Sequence, residues 1–293
     1  MTNPLVSLIC PYFNREAYLK ECINSLISQT YTPIEILLLN DGSDDCSEKI
    51  ARHFNDERIR HIILPHQGCW KTKNQGIQQA KGDFLCFIDS DDLIEPDYIR
   101  SAIRIIKKNP LFQYYYPTAL NIIEENGNKT NTLWRYLDYP INQRHQIISL
   151  FYHHLVGAIP HAGALIRKEV FFEKQYDDTL KNLADTVFVV KNALDIRFFM
   201  LNNQSCYFNR QHPKQTNKDN LARCKAYAEL IFYIWKNYPS EYFLPDYKNP
   251  IDVAYQVFNY LTQLHENNKH ICNDFLDQAK KVLLWIRSNE IKT

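Results

Sequence analysis

Three aspartates stand directly behind a short apolar run, in the segment "CFIDSDDLIEP" at residues 86–96. Side chains two residues apart in an extended segment point the same way, so Asp89 and Asp91 can face one ligand while Ser90 faces away. Carboxylates at such a place are also frequent helix caps, and the periodic apolar stretch that follows makes Asp91 or Asp92 an acceptable cap. One cap needs only one aspartate. The triplet alone leaves ligand binding and helix capping both open.

The elements that must position these aspartates are visible in the first part of the chain. Apolar runs of strand length alternate there with stretches of helical period, and the runs cover residues 5–10, 34–39, 59–64 and 84–88. Nearly continuous apolar strands separated by helices indicate a mainly parallel sheet covered on both faces. The sequence therefore predicts an α/β, doubly wound, Rossmann-like domain, in which ligands bind beyond the carboxyl ends of the strands.

The other predicted strands also end in polar or charged residues. The first exit, "PYFNRE", holds Pro11, Tyr12 and Asn14; the second, "NDGSDD", holds Asp41; the third, "PHQGCWKTKNQG", holds Lys73. Tyr12 is equally suited to the core, and Asp41 begins an ordinary turn sequence. Turn chemistry does not explain why acidic loops and a lysine-bearing loop should meet at one edge of a sheet. We therefore expect a binding site at that edge.

Composition excludes several classes of protein. The net charge of +1 over 293 residues gives no reason to expect nucleic acid or an anionic membrane as the main partner. The 8 cysteines show no C-x-x-C spacing, which favours reduced thiols over a zinc or redox site. No targeting segment and no apolar stretch of about 18 residues is found, so we expect a cytoplasmic protein.

The motifs of the first half resemble those of family two glycosyltransferases, on the segments "SLICPYFNREAYLKECINSLISQTYTPIEILLLNDGSDD" and "QGCWKTKNQGIQQAKGDFLCFIDSDD". The resemblance is close over roughly the first hundred residues, looser to about residue 212 and absent beyond. It implies the A-type nucleotide-sugar transferase fold and inverting sugar transfer. It also implies a catalytic domain over residues 1–215, with a nucleotide-sugar-binding half (1–110) and an acceptor-binding half (111–215), followed by a C-terminal helical region (216–293).

The resemblance assigns the donor site to these strand exits. A sugar nucleotide carries a diphosphate whose charge grows as the glycosyl bond breaks, so the site needs Mn²⁺ or Mg²⁺ with oxygen ligands. Asp91 is the expected metal ligand, and Asp89 binds the ribose or makes a second metal contact. Asp41 is expected to accept a hydrogen bond from the base, where uracil is favoured although guanine would also fit. The nucleotide-sugar site is completed by Pro11, Tyr12, Asn14, Lys73 and Ser90.

Lys73 departs from the family pattern. The family usually has "G-x-x-x-A-R-N-x-G", whereas this chain reads "GCWKTKNQG", with Lys73 for arginine and Thr72 for alanine. A lysine neutralises a diphosphate as a point charge but lacks the planar fork of arginine. Diphosphate binding is expected to survive the change, with altered detail.

The second half must supply a base and an acceptor site. The attacking hydroxyl has to lose a proton, and by resemblance Asp185 in "NLADTVFVV" is the general base, although Ala184 replaces the usual glutamate. Asp185 is also suited to cap the helix that follows. His161 and Gly163, in "IPHAGALIRKEVF", are expected to line the acceptor pocket.

A basic segment and a helical region complete the chain. By resemblance to the end of the catalytic fold, Arg210, His212 and Lys214 in "CYFNRQHPKQTNKDN" are candidate phosphate or metal contacts, with a merely basic loop as the alternative. The C-terminal helices are expected to pack on the catalytic domain, with peripheral membrane contact or homodimerisation as the sharper alternative.

The sequence predicts a metal-dependent inverting glycosyltransferase that moves a sugar from a nucleoside-diphosphate sugar to a glycan or lipid-linked glycan. Bacterial cell-surface polysaccharide, lipopolysaccharide or capsule is the expected product. One alternative is a catalytically silent sugar-nucleotide-binding protein, which the changes at Lys73 and Ala184 leave open. The other is a sugar nucleotidyltransferase, although "ICPYFNRE" lacks the glycine-rich phosphate loop that such enzymes usually carry.

Overall fold

The computed structural model describes residues 3–117, 119–124, 127–135, 145–154, 159–202, 206–212, 220–268 and 273–290. The chain divides into two compact units. The first comprises residues 1–141, 159–179 and 194–214, and the second comprises residues 142–158, 180–193 and 215–293. The division therefore differs from the predicted boundary at residue 215, because segments 142–158 and 180–193 cluster with the C-terminal helices.

A seven-stranded sheet forms the core of the first unit, in the order β10-β6-β9-β4-β1-β2-β3. Its strands are β1 (Val6–Tyr12), β2 (Ile34–Asp41), β3 (Ile59–Leu64), β4 (Phe84–Phe87), β6 (Tyr114–Pro117), β9 (Leu165–Arg167) and β10 (Phe198–Leu201). Strands β1 to β4 run parallel to one another, and only β9 is antiparallel to its neighbours β4 and β6. The mainly parallel sheet of the predicted A-type fold is confirmed.

Burial explains the apolar runs of the sequence. Every residue of β1 and β2 is buried, as expected for central strands covered on both faces. Strand β3 lies at the edge of the sheet, and its side chains are more exposed, with Ile63 46% exposed. The continuous apolar sequence of β1 and β2 follows from their central position.

A helix follows each of the first three strands: α1 (Leu19–Ile27), α2 (Ser47–Arg52) and α3 (Cys69–Gln79). Helix α3 approaches the sheet closely at Gly76, where an added Cβ would lie 2.6 Å from Ile9 Cγ2. The absence of a side chain at Gly76 thus lets helix α3, which carries Lys73, pack closely against β1 and β2.

Helix α4 (Tyr98–Lys108) shows whether Asp91 or Asp92 caps the helix that follows the triplet. It begins six residues beyond Asp92, and its N-cap position is Asp97. A short strand, β5 (Leu93–Ile94), separates the aspartate triplet from this helix. The predicted capping role of Asp91 or Asp92 is therefore wrong, because the chain first pairs in a second sheet.

The second sheet has the order β5-β11-β7-β8, with β7 (Ala119–Ile123), β8 (Lys129–Arg135) and β11 (Tyr207–Arg210). Strand β11 is antiparallel to β5, with Phe208 opposite Leu93. This pairing brings residues 207–212 beside the aspartate segment, although more than a hundred residues separate them along the chain.

Helices dominate the second unit: α5 (Gln146–His154), α6 (Ala184–Lys191), α7 (Asn220–Asn237), α8 (Pro250–Asn268) and α9 (Asp274–Glu290). Short 3-10 helices lie at Lys168–Phe171 in the first unit and Ser240–Tyr242 in the second. The predicted C-terminal helices are present. Within the described ranges, no helix combines the length and the apolar character needed to cross a bilayer.

The cysteines of the described residues are not paired in disulfides. Cys10, Cys22, Cys86 and Cys224 are buried thiols that form no disulfide. Cys272 lies outside the described residues. Within those residues the structure agrees with the prediction of reduced, largely buried thiols.

Gly163 gives a test of the fold. It adopts φ +74°, its carbonyl accepts a 2.7 Å hydrogen bond from Tyr98 Oη, and an added Cβ would lie 2.5 Å from that oxygen and 2.8 Å from the Tyr207 ring. We expect Gly163→Ala to lower the free energy of unfolding by about 3 kcal/mol, through overpacking and left-handed backbone strain. Urea unfolding measures it.

Gly127→Ala is the matched control, because Gly127 has φ +85° and open space around the added Cβ. Its free energy of unfolding should fall by only about 1 kcal/mol, the cost of left-handed backbone strain. Equal losses for the two variants would contradict the packing role of Gly163.

Candidate functional site

The candidate site lies in the first unit, where the parallel strands β1 to β4 end. Because the carboxyl ends of parallel strands meet at one edge of a sheet, the loops that follow them lie side by side. These loops carry the side chains singled out in the sequence.

Asp91 is in contact with two basic side chains. Its Oδ2 lies 2.9 Å from Nε2 of His212 and 3.3 Å from Nε of Arg15. The side chain of Asp91 is 13% exposed and that of His212 only 2%. The structure thus brings together the two predicted metal ligands Asp91 and His212, across a sequence separation of 121 residues.

Asp89 forms an ion pair with Lys73. Lys73 Nζ lies 3.0 Å from Asp89 Oδ1 and 4.6 Å from the centroid of the Trp70 ring. Burial raises the pKa of Asp89, but the Lys73 ammonium more than compensates, so the pKa lies below its ordinary value. Lysine therefore fills the position of the family arginine by pairing with the first aspartate. Ser90, between the two aspartates, is buried.

Asp92 has a structural role that differs from both predictions for the triplet, ligand binding and helix capping. Its carboxylate is buried and accepts hydrogen bonds from Tyr207 Oη (2.7 Å), the Arg210 backbone N–H (2.8 Å) and Asn209 Nδ2 (3.2 Å). Burial raises the pKa of Asp92 well above its ordinary value, and the charges of Asp91 and Asp89 raise it further. The third aspartate fastens the triplet to β11.

Arg210 reinforces the same junction. Its Nε donates to the backbone carbonyl of Asp91 at 2.9 Å, and its Nη2 lies 2.6 Å from Glu21 Oε2. The guanidinium also lies 5.2 Å from the centroid of the Tyr18 ring. In this structure Arg210, predicted as a phosphate or metal contact, holds the backbone of Asp91 in place. Lys214 lies outside the described residues.

Asp41 fastens the loop between β3 and α3. Its Oδ1 accepts from the Gln67 N–H (2.9 Å) and from Thr72 Oγ1 (2.8 Å), while its Oδ2 accepts from the Gly68 N–H (3.0 Å) and lies 3.0 Å from His66 Nδ1. A carboxylate has about four acceptor sites, so these contacts use all of them. Thr72, the departure from the family alanine, supplies one. A nucleobase can form a hydrogen bond with Asp41 only if one of these contacts breaks.

The first strand exit differs in detail from the prediction. Tyr12 and Pro11 are buried, and the Tyr12 ring belongs to the core, where its hydroxyl oxygen contacts no hydrogen-bond partner in the described structure. Burial raises the pKa of Tyr12. Phe13, the next residue, is half-buried and stacks on His66 with ring centroids 4.1 Å apart. The aromatic ring at the surface of this exit is therefore Phe13.

The loops after β1 and β2 are bonded to each other. Asn14, which adopts φ +51°, donates its backbone N–H to Ser43 Oγ (3.1 Å) and accepts from the Asp44 N–H (3.0 Å) through its side chain. The Arg15 N–H donates to Ser47 Oγ (2.7 Å). Two further bonds join Glu16 to Asp45 and Cys46. Asn14 thus positions both loops.

His161 lies beneath the surface. It is 5% exposed, its ring nitrogens lie 3.2 Å from the hydroxyls of Tyr114 and Tyr176, and its ring packs on Phe87. Burial lowers the pKa of His161 well below its ordinary value, and the Lys73 charge lowers it further, so the imidazole is neutral at pH 7. Gly163 is buried as well, so both predicted acceptor-binding residues lie within the core in this structure.

Asp185 lies in the second unit, in the first turn of α6. The helix begins at Ala184, and the N-cap position is Leu183, which has φ +63°. Asp185 Oδ1 accepts from the Thr186 N–H at 2.8 Å. Asp185 therefore lies two positions beyond the N-cap, and the alternative prediction that it caps this helix is wrong. A carboxylate in the first turn still interacts favourably with the helix dipole.

Three contributors to the site were missed in the sequence: Phe13, Arg15 and Trp70. Alternation along a strand could have found Phe13, because a core position at Tyr12 turns its neighbour outward. No spacing rule links Arg15 to Asp91 or Trp70 to Lys73, since these contacts depend on loop conformation.

Asp91 and His212 fit a divalent cation as two adjacent ligands. Within the described part of the chain, no three His, Cys, Asp or Glu side chains form a complete metal cluster. The 2.9 Å between Asp91 Oδ2 and His212 Nε2 matches the spacing of about 3 Å between neighbouring ligands of an octahedral ion. Mg²⁺ and similar ions are held by one or two carboxylates together with phosphate and water, so this pair is a suitable protein contribution.

Known glycosyltransferases are similar to this chain in sequence and in fold. EpsH of Bacillus subtilis, named as a glycosyltransferase, is 44% identical over 106 residues, which are 36% of this chain and only 31% of that protein. Among solved structures, Staphylococcus aureus TarS 1–349 in complex with UDP-GlcNAc aligns with a TM-score of 0.62 at 17% identity, over 97% of this chain and 92% of that one.

Mannosyltransferase PcManGT from Pyrobaculum calidifontis, solved with GDP-Man and Mn²⁺, aligns with a TM-score of 0.57 at 13% identity, over 98% of this chain and 76% of that one. At these identities the structural likeness shows a common fold. The family model of "Glycosyl transferase family 2" matches residues 7–172, more than half of the 293 residues. The chain belongs to glycosyl transferase family 2.

Proposed function

We propose that the chain is a metal-dependent inverting glycosyltransferase that moves a sugar from a nucleoside-diphosphate sugar, preferably a UDP-sugar, to a hydroxyl of a glycan or lipid-linked glycan. The observation that carries the proposal is the convergence of Asp91 with His212, beside the Asp89–Lys73 pair, at the carboxyl edge of a family 2 sheet. Bacterial cell-surface polysaccharide, lipopolysaccharide or capsule is the proposed product.

In this proposal Asp91 and His212 hold Mn²⁺ or Mg²⁺, with Asp89 as a second contact or a ribose ligand. Such an ion supplies positive charge that stabilises the diphosphate leaving group. Support comes from the spacing of the two ligands and from the Mn²⁺ that accompanies GDP-Man in PcManGT. Arg15 must leave Asp91 Oδ2 when an ion arrives, because both compete for the same oxygen.

Lys73 and Arg15 are the proposed diphosphate contacts. Each already neutralises one aspartate of the site. If an ion held by Asp91 and His212 supplied that neutralisation, Lys73 and Arg15 would be able to exchange their aspartate partners for phosphate oxygens. This exchange keeps the number of uncompensated charges low, as a partly buried site requires.

The Phe13–His66 pair and Asp41 are the proposed base contacts. The stacked rings of half-buried Phe13 and exposed His66 offer a surface for a nucleobase, since every base has a π-face to stack. Asp41 then accepts a hydrogen bond from the base after the exposed His66 side chain gives up its contact. UDP and UDP-GlcNAc in the TarS structures favour uridine donors.

Asp185 is the proposed general base. The acceptor hydroxyl transfers its proton to the Asp185 carboxylate as its oxygen attacks the anomeric carbon, and the bond from that carbon to the diphosphate breaks with inversion. Ala184 beside it removes the usual family glutamate, so Asp185 acts without a carboxylate neighbour at that position.

A panel of sugar nucleotides with Mn²⁺ tests the proposal as a whole. Release of a nucleoside diphosphate supports a transferase, pyrophosphate would indicate a nucleotidyltransferase, and binding without turnover would favour a silent binding protein. The departures at Lys73 and Ala184 are the observations that leave the silent alternative open.

The metal ligand is tested by Asp91→Asn. This change removes one charge with little change in shape, so Mn²⁺-dependent nucleotide binding should fall at least tenfold while the unfolding midpoint changes little, as measured by calorimetric titration and urea unfolding. The exposed Asp178→Asn is the control. A variant that unfolds yet binds normally in its folded fraction would assign Asp91 a purely structural role.

The base contact is tested at Asp41 and Thr72. Asp41→Ala should weaken binding of the preferred nucleoside diphosphate by about 1.5–3 kcal/mol, the value of a charged hydrogen bond, without changing the metal requirement. Thr72→Ala returns one acceptor site to Asp41, so it should preserve that affinity while it lowers stability by about 1 kcal/mol. Equal losses across UDP, GDP and CDP for Asp41→Ala would leave Asp41 only its loop-fastening role.

The general base is tested by Asp185→Asn. The turnover of sugar transfer should fall by about 10²–10⁴ while donor and metal affinity are retained, because only deprotonation of the acceptor is lost. Asparagine can keep the hydrogen bond to the Thr186 N–H, so helix α6 is preserved. Transfer at a near wild-type rate with saturating acceptor would overturn the assignment.

A further inference from the structure

Helices α7 and α9 of the second unit together form an aromatic surface. Trp235 and Trp285 meet edge to face with centroids 5.4 Å apart, and Phe232 packs against Trp235 at 5.5 Å. All three rings are partly exposed, and Leu284 beside them is 64% exposed. The α7–α9 aromatic surface is defined by Phe232, Trp235, Lys236, Lys281, Leu284 and Trp285.

Two lysines lie directly over these rings. Lys236 Nζ is 4.6 Å from the centroid of Trp235 and 5.8 Å from that of Trp285, and Lys281 Nζ is 5.6 Å from that of Phe232. Both lysines are exposed. A lysine that covers apolar rings with its stem keeps its ammonium in water, which is the arrangement of side chains at a boundary between apolar and aqueous phases.

The charge on these two helices is predominantly positive. Among side chains that the structure describes, α7 and α9 carry six cations (Arg223, Lys225, Lys236, Lys280, Lys281 and Arg287) and three acids (Glu229, Asp274 and Asp277). Asp277 pairs with Lys280 at 3.2 Å. The exposed acids Asp252 and Glu266 lie on α8 instead. Positive charge is thus concentrated on the helices that carry the exposed rings.

The kind of partner follows from this combination. Protein interfaces are depleted in lysine, and a two-fold dimer through this surface would bring like charges together. Anionic lipid headgroups complement the lysines, and tryptophan is favoured at the level of the headgroups. We propose that the α7–α9 aromatic surface binds the headgroup layer of an anionic lipid membrane.

Vesicle flotation of the whole chain tests the proposal. The protein should float with vesicles of phosphatidylcholine and phosphatidylglycerol and much less with phosphatidylcholine alone, and added salt should weaken binding. Removing two lysine charges in Lys236→Gln/Lys281→Gln should weaken binding roughly 25-fold, about fivefold per charge. Leu284→Glu, at an exposed position, should abolish it.

Controls at other exposed positions separate this surface from general effects. Lys248→Gln removes the same charge from the loop before α8, and Phe172→Ser removes a 75% exposed ring from the first unit. Both should bind vesicles like the wild type, and all variants should keep the wild-type unfolding midpoint and nucleotide affinity.

Three results would overturn the proposal: absence of vesicle binding by the wild type, equal binding to both vesicle types, and equal losses in the controls. Sedimentation velocity tests whether the surface binds a second copy of the chain instead. A concentration-dependent dimer that Leu284→Glu dissociates, without vesicle binding, would assign the surface to a second copy of the chain.

Discussion

The buried carboxylate of Asp92 is the interaction on which the candidate site depends. Burying a carboxylate is costly unless donors compensate it, and here β11 supplies them through Tyr207, Asn209 and Arg210. The Tyr207 hydroxyl also accepts from the Asp89 N–H at 3.3 Å. These bonds fix the backbone between Asp89 and Asp92 relative to β11, and His212 follows that strand directly. The convergence of Asp91 and His212 is therefore a result of the burial of their neighbour.

Around this junction, negative charges are matched by positive charges of the same chain. Asp89 is paired with Lys73, Asp91 with Arg15, and Glu21 with Arg210. Under the proposed function the site receives both a cation and a polyanion, and these pairs then provide a partner for each arriving charge. Binding then exchanges one ion-pair partner for another. This exchange costs less free energy than the desolvation of isolated charges.

The main features of the fold could be predicted from the sequence, because the strands of a covered parallel sheet are apolar on both faces and leave continuous runs such as residues 34–39. The resemblance to the family named both Asp91 and His212 as candidates, and the structure places these two side chains in contact. Periodicity could not predict that Asp41 is saturated by Thr72 and the loop amides, or that Arg15 pairs with Asp91. Those contacts are decided by loop backbones, on which hydrophobic patterning places no constraint. For Tyr12 the structure follows the alternative of a core residue, because the strand extends to Tyr12 and keeps its ring buried.

The bonds that join the loop after β1 to the loop after β2 have a consequence for how this protein can change. Asn14, Arg15 and Glu16 depend on partners between residues 43 and 47, so the two loops form one cooperative unit. Substitutions in contacting segments are not additive. A chimera that imports only the first loop from a relative would lose these bonds, whereas one that imports both loops together would retain them. In engineering, the two loops should therefore be exchanged together, although about 30 residues separate them along the chain.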